Sequence, residues 1–376
     1  MIYAFPSTAR DSGLLNARLL ALLEQLHPPY IDSETNRNDK VVVCLSGGKD
    51  SSLALLLALA IYGHERVIAH YQVVEEDPEG TIAFNQALCA HLRVPFYTRQ
   101  AMYWGYECLD CGHHYLRQAP LQVCTKCQST SGSQIAVVKN LLDLVAWRGM
   151  WPDSRVRYCT KFLKSAVFNL WAAENRTLLG EHPLVVLGER WSESTGRAEL
   201  PEIRAREGAK WLTEFRPVLP LRRFEVFRAL RDADIDLHPC YRLLWRAMLR
   251  GDLRGWYEQG KMPHTSYEGQ WTGLLDGPDL LYAEQALDGR VEGMIDTLMY
   301  DVIEENKGPR MACVNCVLKP EAQLAASATL PGAAPHFRRG ISIEDRTGHL
   351  IKKGRSLRVI VAGSLEIDSE VSCCTL

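Results

Sequence analysis

Residues 41–52 read Val41-Val-Val-Cys-Leu-Ser46-Gly47-Gly48-Lys49-Asp50-Ser51-Ser52, and the apolar run Leu53-Ala-Leu-Leu-Leu-Ala-Leu-Ala follows them. This order predicts a buried strand, a Gly-rich loop and a helix. Such a loop suits an anion, because glycine lets the backbone turn tightly and the helix presents unpaired N–H groups. Lys49 adds a positive charge. The sequence therefore predicts a phosphate-binding loop, although the spacing of a Walker A motif is absent.

Length and composition indicate a globular protein of 376 residues, long enough for two or three structural units. The net charge of -2 argues against a globally basic nucleic-acid-binding protein, but it leaves room for a local basic patch. The first residues lack a signal-peptide pattern, and the most apolar run, residues 53–62, is too short to span a bilayer. We therefore expect a soluble cytoplasmic protein with no membrane partner.

Strand-like apolar runs alternate with helical patterns through the first half of the chain. Strands are predicted at 41–45, 67–74, 95–98 and 184–188, and helices at 12–26, 52–62, 82–92, 134–148 and 159–174. This alternation predicts an α/β fold with a doubly wound parallel sheet, whose ligands bind at the carboxyl ends of the strands.

Four units follow from these patterns. They are an N-terminal helix (1–36), a core α/β domain (37–220) with a zinc ribbon inserted at 105–130, a mostly helical region (221–330) and a C-terminal strand and tail (331–376). Within the last part, residues 330–338 are predicted as a loop and residues 357–363 as a strand.

Two Cys-x-x-Cys pairs lie a dozen residues apart, at Cys108 and Cys111 and at Cys124 and Cys127. In a reducing compartment such pairs indicate metal binding rather than disulfides. Each pair can direct two thiolates at one tetrahedral ion, and four closed ligands leave no position open for chemistry. The pattern predicts a structural zinc ribbon, with the neighbouring histidines as bystanders.

A second set consists of Cys159, Cys240, Cys313 and Cys316, each close to basic residues. Three assignments remain open from the residues alone: a [4Fe–4S] cluster, a second zinc ion, and redox or persulfide cysteines without a metal. The [4Fe–4S] cluster is our preferred interpretation, and the helical region (221–330) would complete its set of cysteine ligands. Neighbouring arginine and lysine side chains would stabilise thiolates in each case.

With these motifs in view, the chain resembles the phosphoadenosine-phosphosulfate reductase-like branch of the PP-loop ATP pyrophosphatase superfamily. The matching segments are Ser46 to Ser51, Arg157-Tyr-Cys159-Thr-Lys161, Leu187-Gly-Glu-Arg190-Trp-Ser-Glu193-Ser-Thr-Gly-Arg197, His238-Pro-Cys240-Tyr241-Arg242 and Cys313-Val-Asn-Cys316. Within that branch it looks most like the DNA phosphorothioation sulfurtransferases, which replace a non-bridging backbone oxygen by sulfur.

The resemblance implies an enzyme that splits ATP into AMP and pyrophosphate, adenylates a nucleic-acid target and inserts sulfur. DNA is favoured over transfer RNA as the target, and a cysteine desulfurase is the implied sulfur donor. The runner-up is a transfer-RNA thiolation enzyme of the PP-loop and iron–sulfur type, and a phosphosulfate reductase-like enzyme is a further alternative. A nucleotide-binding scaffold subunit and a ligase that uses the same adenylation chemistry also stay open.

The same resemblance implies roles for named residues. ATP would lie on Ser46, Gly47, Gly48, Lys49, Asp50, Ser51 and Ser52, with Asp50 holding Mg²⁺ through water. The implied catalytic set is Lys49, Asp50, Arg190, Glu193 and Arg197, in which the two arginines clamp a phosphate and Glu193 orients them. The implied substrate-binding residues are Arg157, Lys161 and Arg242. An arginine also recurs at every fourth position, at Arg242, Arg246, Arg250 and Arg254. On a helix these side chains would form a stripe that contacts a phosphate backbone, or only the solvent-exposed face of a surface helix.

Overall fold

A computed structural model of the chain describes residues 17–29, 39–118, 123–248 and 309–365, and its centre is a six-stranded sheet. The strands of this sheet are β1 (Val41–Leu45), β2 (Val67–Val73), β3 (Phe96–Gln100), β7 (Leu184–Leu187), β8 (Ile203–Ala205) and β9 (Thr213–Phe215). Their order is β3-β2-β1-β7-β9-β8, and β8 alone runs antiparallel to its neighbour in this sheet. The predicted α/β fold with a mostly parallel, doubly wound sheet is confirmed.

Helices cover both faces of the central sheet. They are α1 (Ala17–Gln25), α2 (Lys49–Tyr62), α3 (Thr81–His91), α6 (Ala166–Glu174), α7 (Arg176–Leu179) and α8 (Arg223–Asp232). Because side chains of a strand alternate between faces, Val41 and Val43 pack on one side with α1, α2 and α8, whereas Val42 packs against α6 on the other. Burial on both faces explains why β1 is apolar throughout.

The chain moves outward from β1 through β2 to β3, and it then returns to the other side of β1 at β7. Both neighbours pair with β1 in parallel register, Val41 lying opposite Val67 on one side and opposite Leu184 on the other. A crevice forms at such a switch point, outside the carboxyl ends of the strands. The fold therefore favours a ligand site where β1 and β7 end.

A separate three-stranded antiparallel sheet follows β3. It consists of β4 (Tyr103–Cys108), β5 (His114–Arg117) and β6 (Gly132–Val138), with β4 in the middle. The predicted helix over 134–148 is therefore wrong in its first part, because Gln134 to Val138 pair with β4. Helix α4 (Leu141–Arg148) starts only after Asn140, whose side chain accepts the Asp143 N–H at its N-terminus.

The described remainder is helical. It contains α5 (Tyr158–Thr160), which continues through a π-helical turn (Lys161–Ser165) into α6, then α9 (residues 240–248), α10 (Glu321–Ala328), α11 (Ala334–Thr347) and α12 (Leu357–Val361). Helices α10, α11 and α12 pack with α4 and Trp151 in a further apolar core.

Two C-terminal predictions are wrong. The predicted loop at 330–338 contains the start of α11, where a proline in the first turn suits a helix. The predicted strand at 357–363 forms α12, because Ser356 accepts the Val359 N–H as an N-cap and no strand of either sheet lies beside it. The stripe residues Arg250 and Arg254 lie outside the described residues. No helix in the described part is both long and apolar enough to cross a bilayer.

Candidate functional site

The Gly-rich loop lies between β1 and α2, at the crevice beside β7. Gly47 has a φ of 73°, which a side chain would strain, and helix α2 begins at Lys49. A Cβ on Gly188, just after β7, would come within 2.5 Å of the Ser51 N atom. The glycine at this position therefore lets β7 approach the first turn of α2 closely.

Three serine hydroxyls hold the loop in shape. Ser51 Oγ accepts the Ser46 N–H at 3.2 Å and donates to the Gly48 carbonyl at 2.9 Å. Ser52 Oγ donates to the same carbonyl, and Ser46 Oγ accepts the Gly48 N–H at 3.3 Å. The serines on both sides of the glycines thus support the loop from within.

Lys49, Asp50 and Arg190 form a buried ionic group at the start of α2. Asp50 Oδ2 lies 2.5 Å from Lys49 Nζ, and Asp50 Oδ1 lies 2.6 Å from Arg190 Nε. Burial lowers the pKa of Lys49 to about 7, against the opposing effect of Asp50. Burial acts to raise the pKa of Asp50, but the two cations hold it below its ordinary value. Cations occupy both Asp50 oxygens in this structure, and the role of this carboxylate in holding Mg²⁺ through water stays a prediction.

Arg197 lies between two carboxylates on the segment after β7. It pairs with Glu189 at 3.2 Å and with Glu193. Glu189 also binds Arg216 at 2.8 Å, and Glu193 accepts the Arg190 N–H at 3.2 Å. The predicted catalytic residues are thus brought into one connected group. Their arginines are paired with carboxylates of this chain rather than presented bare to a ligand.

Two further cations lie around Arg197. Arg310 Nη2 is 3.8 Å from Glu193, and Arg157 is exposed at the start of α5. Burial is the main cause that lowers the pKa of Arg197. Glu189 opposes this effect, and the positive charges of Arg157 and Arg310 add to it. These three arginines form a cluster of positive charges beside the loop. The other predicted substrate residues, Lys161 and Arg242, are exposed on α5–α6 and α9.

The zinc-ribbon cysteines converge at the end of the antiparallel sheet. The Sγ atoms of Cys108, Cys111, Cys124 and Cys127 all lie within 4.8 Å of one another. The Cys108–Cys127 and Cys111–Cys124 sulfur pairs are 3.5 and 3.8 Å apart. Zn–S bonds of about 2.3 Å in a tetrahedron require sulfur separations of about 3.8 Å, so the four thiols fit one zinc ion.

The second cysteine set surrounds a buried lysine. Lys319 is 1% exposed, and Cys240, Cys313 and Cys316 all lie close enough to oppose the lowering of its pKa by burial. Cys159 is close enough to Cys316 for that thiol to help raise its pKa, although burial is the larger cause. The fold therefore brings together all four cysteines that the sequence separates by up to 157 positions. Within the described ranges, only the ribbon holds three or more such ligand atoms within 4.8 Å.

Sequence reasoning missed Asp77 and Lys319 in this second set. Asp77 accepts hydrogen bonds from Tyr71 at 2.8 Å and from the Cys313 thiol at 3.3 Å. Burial and Asp77 together raise the pKa of Cys313 well above its ordinary value. The available signals were the position of Asp77 shortly after β2, at the ligand-binding edge, and the position of Lys319 three residues after Cys316.

The His238–Tyr241 turn joins the cysteine set to the phosphate loop. His238 Nδ1 accepts the Cys240 N–H at 3.1 Å, so its proton is on Nε2, which faces Thr81 Oγ1 at 3.4 Å. Burial lowers the pKa of His238 to about 4, which keeps the ring neutral. The next residue after Cys240, Tyr241, accepts the Lys49 N–H at 3.1 Å. The phosphate loop and the second cysteine set are therefore adjacent.

No protein-family profile and no curated protein matches the chain. Solved structures similar to it include the FMN adenylyltransferase of Candida glabrata in complex with FAD and inorganic pyrophosphate, with 11% identity and a TM-score of 0.37. That match covers 61% of each chain, so the present chain spans less than two thirds of that protein.

Two other solved structures are similar to the chain. The phosphoadenylyl-sulfate reductase of Candida auris in its phosphate complex shares 10% identity and a TM-score of 0.32, over 62% of this chain and 87% of that one. The NH3-dependent NAD synthetase of Campylobacter jejuni shares 14% identity and a TM-score of 0.33, over 78% and 95% of the two chains. At these values neither protein informs substrate or reaction here.

Proposed function

We propose that this protein is an ATP-dependent sulfurtransferase that adenylates a nucleic-acid target, releases pyrophosphate and inserts sulfur, with the DNA backbone as its target. The observation that carries the proposal is the adjacency of the phosphate loop and the second cysteine set, joined by Cys240 and Tyr241. A loop for activating a phosphate and a set of thiols for handling sulfur lie at one crevice.

ATP binding is the role proposed for the loop. The β- and γ-phosphates lie against the backbone from Ser46 to Ser51, at the positive end of α2. Lys49 has a depressed pKa of about 7, and a bound polyphosphate would restore its charge because an adjacent anion favours the ammonium form. A bound polyphosphate would thus add to the pairing with Asp50 in favouring the charged form of Lys49.

Target binding is the role proposed for the arginine cluster. The exposed Arg157 and Arg310 would hold the target phosphate beside the α-phosphorus of ATP, and Arg197, which Glu189 and Glu193 hold in place, would add its charge nearby. An oxygen of the target forms a bond to that phosphorus as the α–β bond breaks, and pyrophosphate leaves. A cysteine desulfurase is the proposed source of sulfur as a persulfide, and a dithiol reductant supplies the two electrons that convert its outer sulfur into sulfide. The sulfide then forms a bond to the target phosphorus as the bond from that phosphorus to the AMP oxygen breaks, and AMP leaves.

The second cysteine set is proposed to hold a [4Fe–4S] cluster through Cys159, Cys240, Cys313 and Cys316. The residues fit such a group on two counts: four cysteines that the fold brings near one another, and the buried Lys319 side chain as counter-charge. Asn315, between two of the cysteines, is fully buried, and its amide has no partner among the described residues. When bound, the cluster would supply a site that can hold sulfide.

The deciding experiment is mass spectrometry of nuclease-digested DNA and of transfer-RNA nucleosides from the native host, with and without the gene. We expect phosphorothioate dinucleotides to disappear with the gene, and to return with the wild-type gene but not with Lys49→Met. Purified protein should release AMP and pyrophosphate in multiple turnovers with target DNA. Unchanged phosphorothioate together with no AMP formation would refute the proposal.

A second candidate, transfer-RNA thiolation, is favoured by one observation, the ribbon. A folded site of four cysteines fits enzymes that combine a PP-loop, zinc and an iron–sulfur cluster better than the DNA enzymes. Loss of a thiolated nucleoside, with phosphorothioate unchanged, would establish this alternative. The phosphosulfate reductase-like alternative depends on cysteines of the tail, Cys373 and Cys374, which lie outside the described residues.

A further inference from the structure

The first turn of α2 already has ligands from this chain. The Gly48 N–H bonds to Ser46 Oγ, and the Lys49 N–H bonds to the hydroxyl of Tyr241 at 3.1 Å. The N-terminal N–H groups of a helix are the groups that bind a phosphate. The phenol therefore lies directly at the place where the loop would take an anion.

The Tyr241 hydroxyl has a spare hydrogen. It acts as the acceptor toward Lys49, so its own O–H remains to be donated, and the part of the chain that the structure describes offers it no acceptor. The side chain is only 3% exposed, so solvent does not readily supply one. A buried hydroxyl without an acceptor costs free energy that a bound anion can recover.

The hydroxyl is also aimed at the loop by rigid packing. A Cβ on Gly48 would lie 3.5 Å from the hydroxyl oxygen, so the phenol lies close to the second glycine of the loop. The Tyr241 ring meets the Phe227 ring edge-on with 5.4 Å between centroids, and Lys49 Nζ lies 5.5 Å from the same Phe227 centroid.

We infer that Tyr241 is a further ligand of the bound polyphosphate: it accepts the Lys49 N–H and donates its own hydrogen to a phosphate oxygen. Because Cys240 precedes it, the residue that contacts the nucleotide is covalently next to the second cysteine set. Tyr241 is thus the path by which occupancy of the loop reaches α9 and its cysteine. The inference rests on the proposed function, since it requires the loop to bind nucleotide phosphates.

The test is calorimetric binding of pyrophosphate, ATP and adenosine to the full-length, zinc-loaded protein. Tyr241→Phe keeps the ring against Phe227 and removes only the hydroxyl. We expect pyrophosphate and ATP to bind about tenfold more weakly or worse, because a hydrogen bond to a charged group is lost. Adenosine, which has no phosphate, should bind with unchanged affinity.

Tyr103→Phe is the matched control. Tyr103 is equally buried, begins β4 outside the Gly-rich loop and donates to the Phe162 carbonyl at 2.6 Å. This variant should bind all three probes as the wild type does. Hydrogen exchange adds a second readout: ATP should slow exchange in residues 240–248 of the wild type and not of Tyr241→Phe.

The outcomes separate the two proposals. If Tyr241→Phe binds pyrophosphate as the wild type does, or loses adenosine binding by the same factor, the inference about Tyr241 fails while the proposed function stands. If the wild type binds neither pyrophosphate nor ATP, the proposed function itself fails.

Discussion

The two cysteine sets of this protein are built in opposite ways. The ribbon set lies within residues 108–127, on one small sheet, with sulfur pairs at 3.5 and 3.8 Å. The second set comes from α5, α9 and the segment before α10, and its members meet around the buried Lys319. The difference teaches that spacing along the chain identifies a local metal site, whereas a site assembled from distant segments depends on the fold.

The largest expected effect is removal of the ribbon zinc. Cys108→Ser should abolish zinc binding, because binding of a structural zinc releases roughly 10 kcal/mol or more and that free energy stabilises the fold around it. We expect about one zinc per wild-type chain by plasma mass spectrometry and none in the variant, with faster hydrogen exchange in β4 to β6. His113→Ala, beside the site, should keep its zinc. Zinc retained in Cys108→Ser would remove the ribbon from the comparison.

The next effect concerns the second set. Cys316→Ser should lower the iron content of anaerobically purified protein by roughly tenfold or more while the zinc content stays unchanged. The reason is that the two sets share no ligand, so the loss of one group leaves the other intact. Iron, sulfide and zinc are measured on the same sample. Wild-type protein with two zinc ions and no iron would instead favour the second-zinc alternative.

A smaller effect is expected at Lys319. Lys319→Met removes the buried charge that faces three cysteines and donates to Ser327 Oγ at 2.7 Å. Loss of such a supporting group typically weakens metal binding by about 10- to 100-fold, so iron should pass faster to a chelator. Lys40→Met is the control, because Lys40 donates to the Glu65 carbonyl and not to the second cysteine set. This variant should release iron at the wild-type rate. Equal rates in both variants would show that Lys319 does not support the group.

The smallest effect is within the ribbon. Gly112 has a φ of 62° with open space around it, so Gly112→Ala should cost about 1 kcal/mol of stability through backbone strain alone. Gln128 adopts a φ of 61° at the matching place in the other knuckle, and Gln128→Gly should relieve that strain. We expect the thermal midpoint of the zinc-loaded protein to fall in Gly112→Ala and to rise in Gln128→Gly. Shifts of the same sign would contradict the equivalence of the two knuckles.

Much of the core could be predicted from the sequence because its signals are local. The run from Val41 to Ser52 predicts a strand, a loop and a helix, and the structure has β1, the loop and α2 in that order. The cysteine spacing likewise predicts the ribbon. Tertiary context decided the failures: β6 pairs with β4 although Gln134 to Val138 fit a helical pattern, and α12 forms from β-branched residues because a serine caps it and no strand is there to pair with.

The ionic arrangement of the site could not be predicted from spacing. That Asp50 would bind Lys49 and Arg190, and that Arg197 would lie between Glu189 and Glu193, depends on how β7 docks beside α2. Gly188 makes that approach possible, and nothing in its local sequence indicates the contact. The roles of Asp77 and Lys319 depend on how distant segments bring the four cysteines together, although each of the two residues also has a partner nearby in sequence.

The separation of the second cysteine set along the chain also fixes a schedule for its assembly. During synthesis the ribbon is complete once residue 127 and the strand after it have emerged, so zinc can be inserted while the ribosome is still working. The second set cannot exist before Cys316 has left the ribosome and three remote segments have docked. The proposed cluster would therefore be inserted only after these segments have docked, and cells short of a delivery system should then accumulate zinc-loaded protein that lacks it.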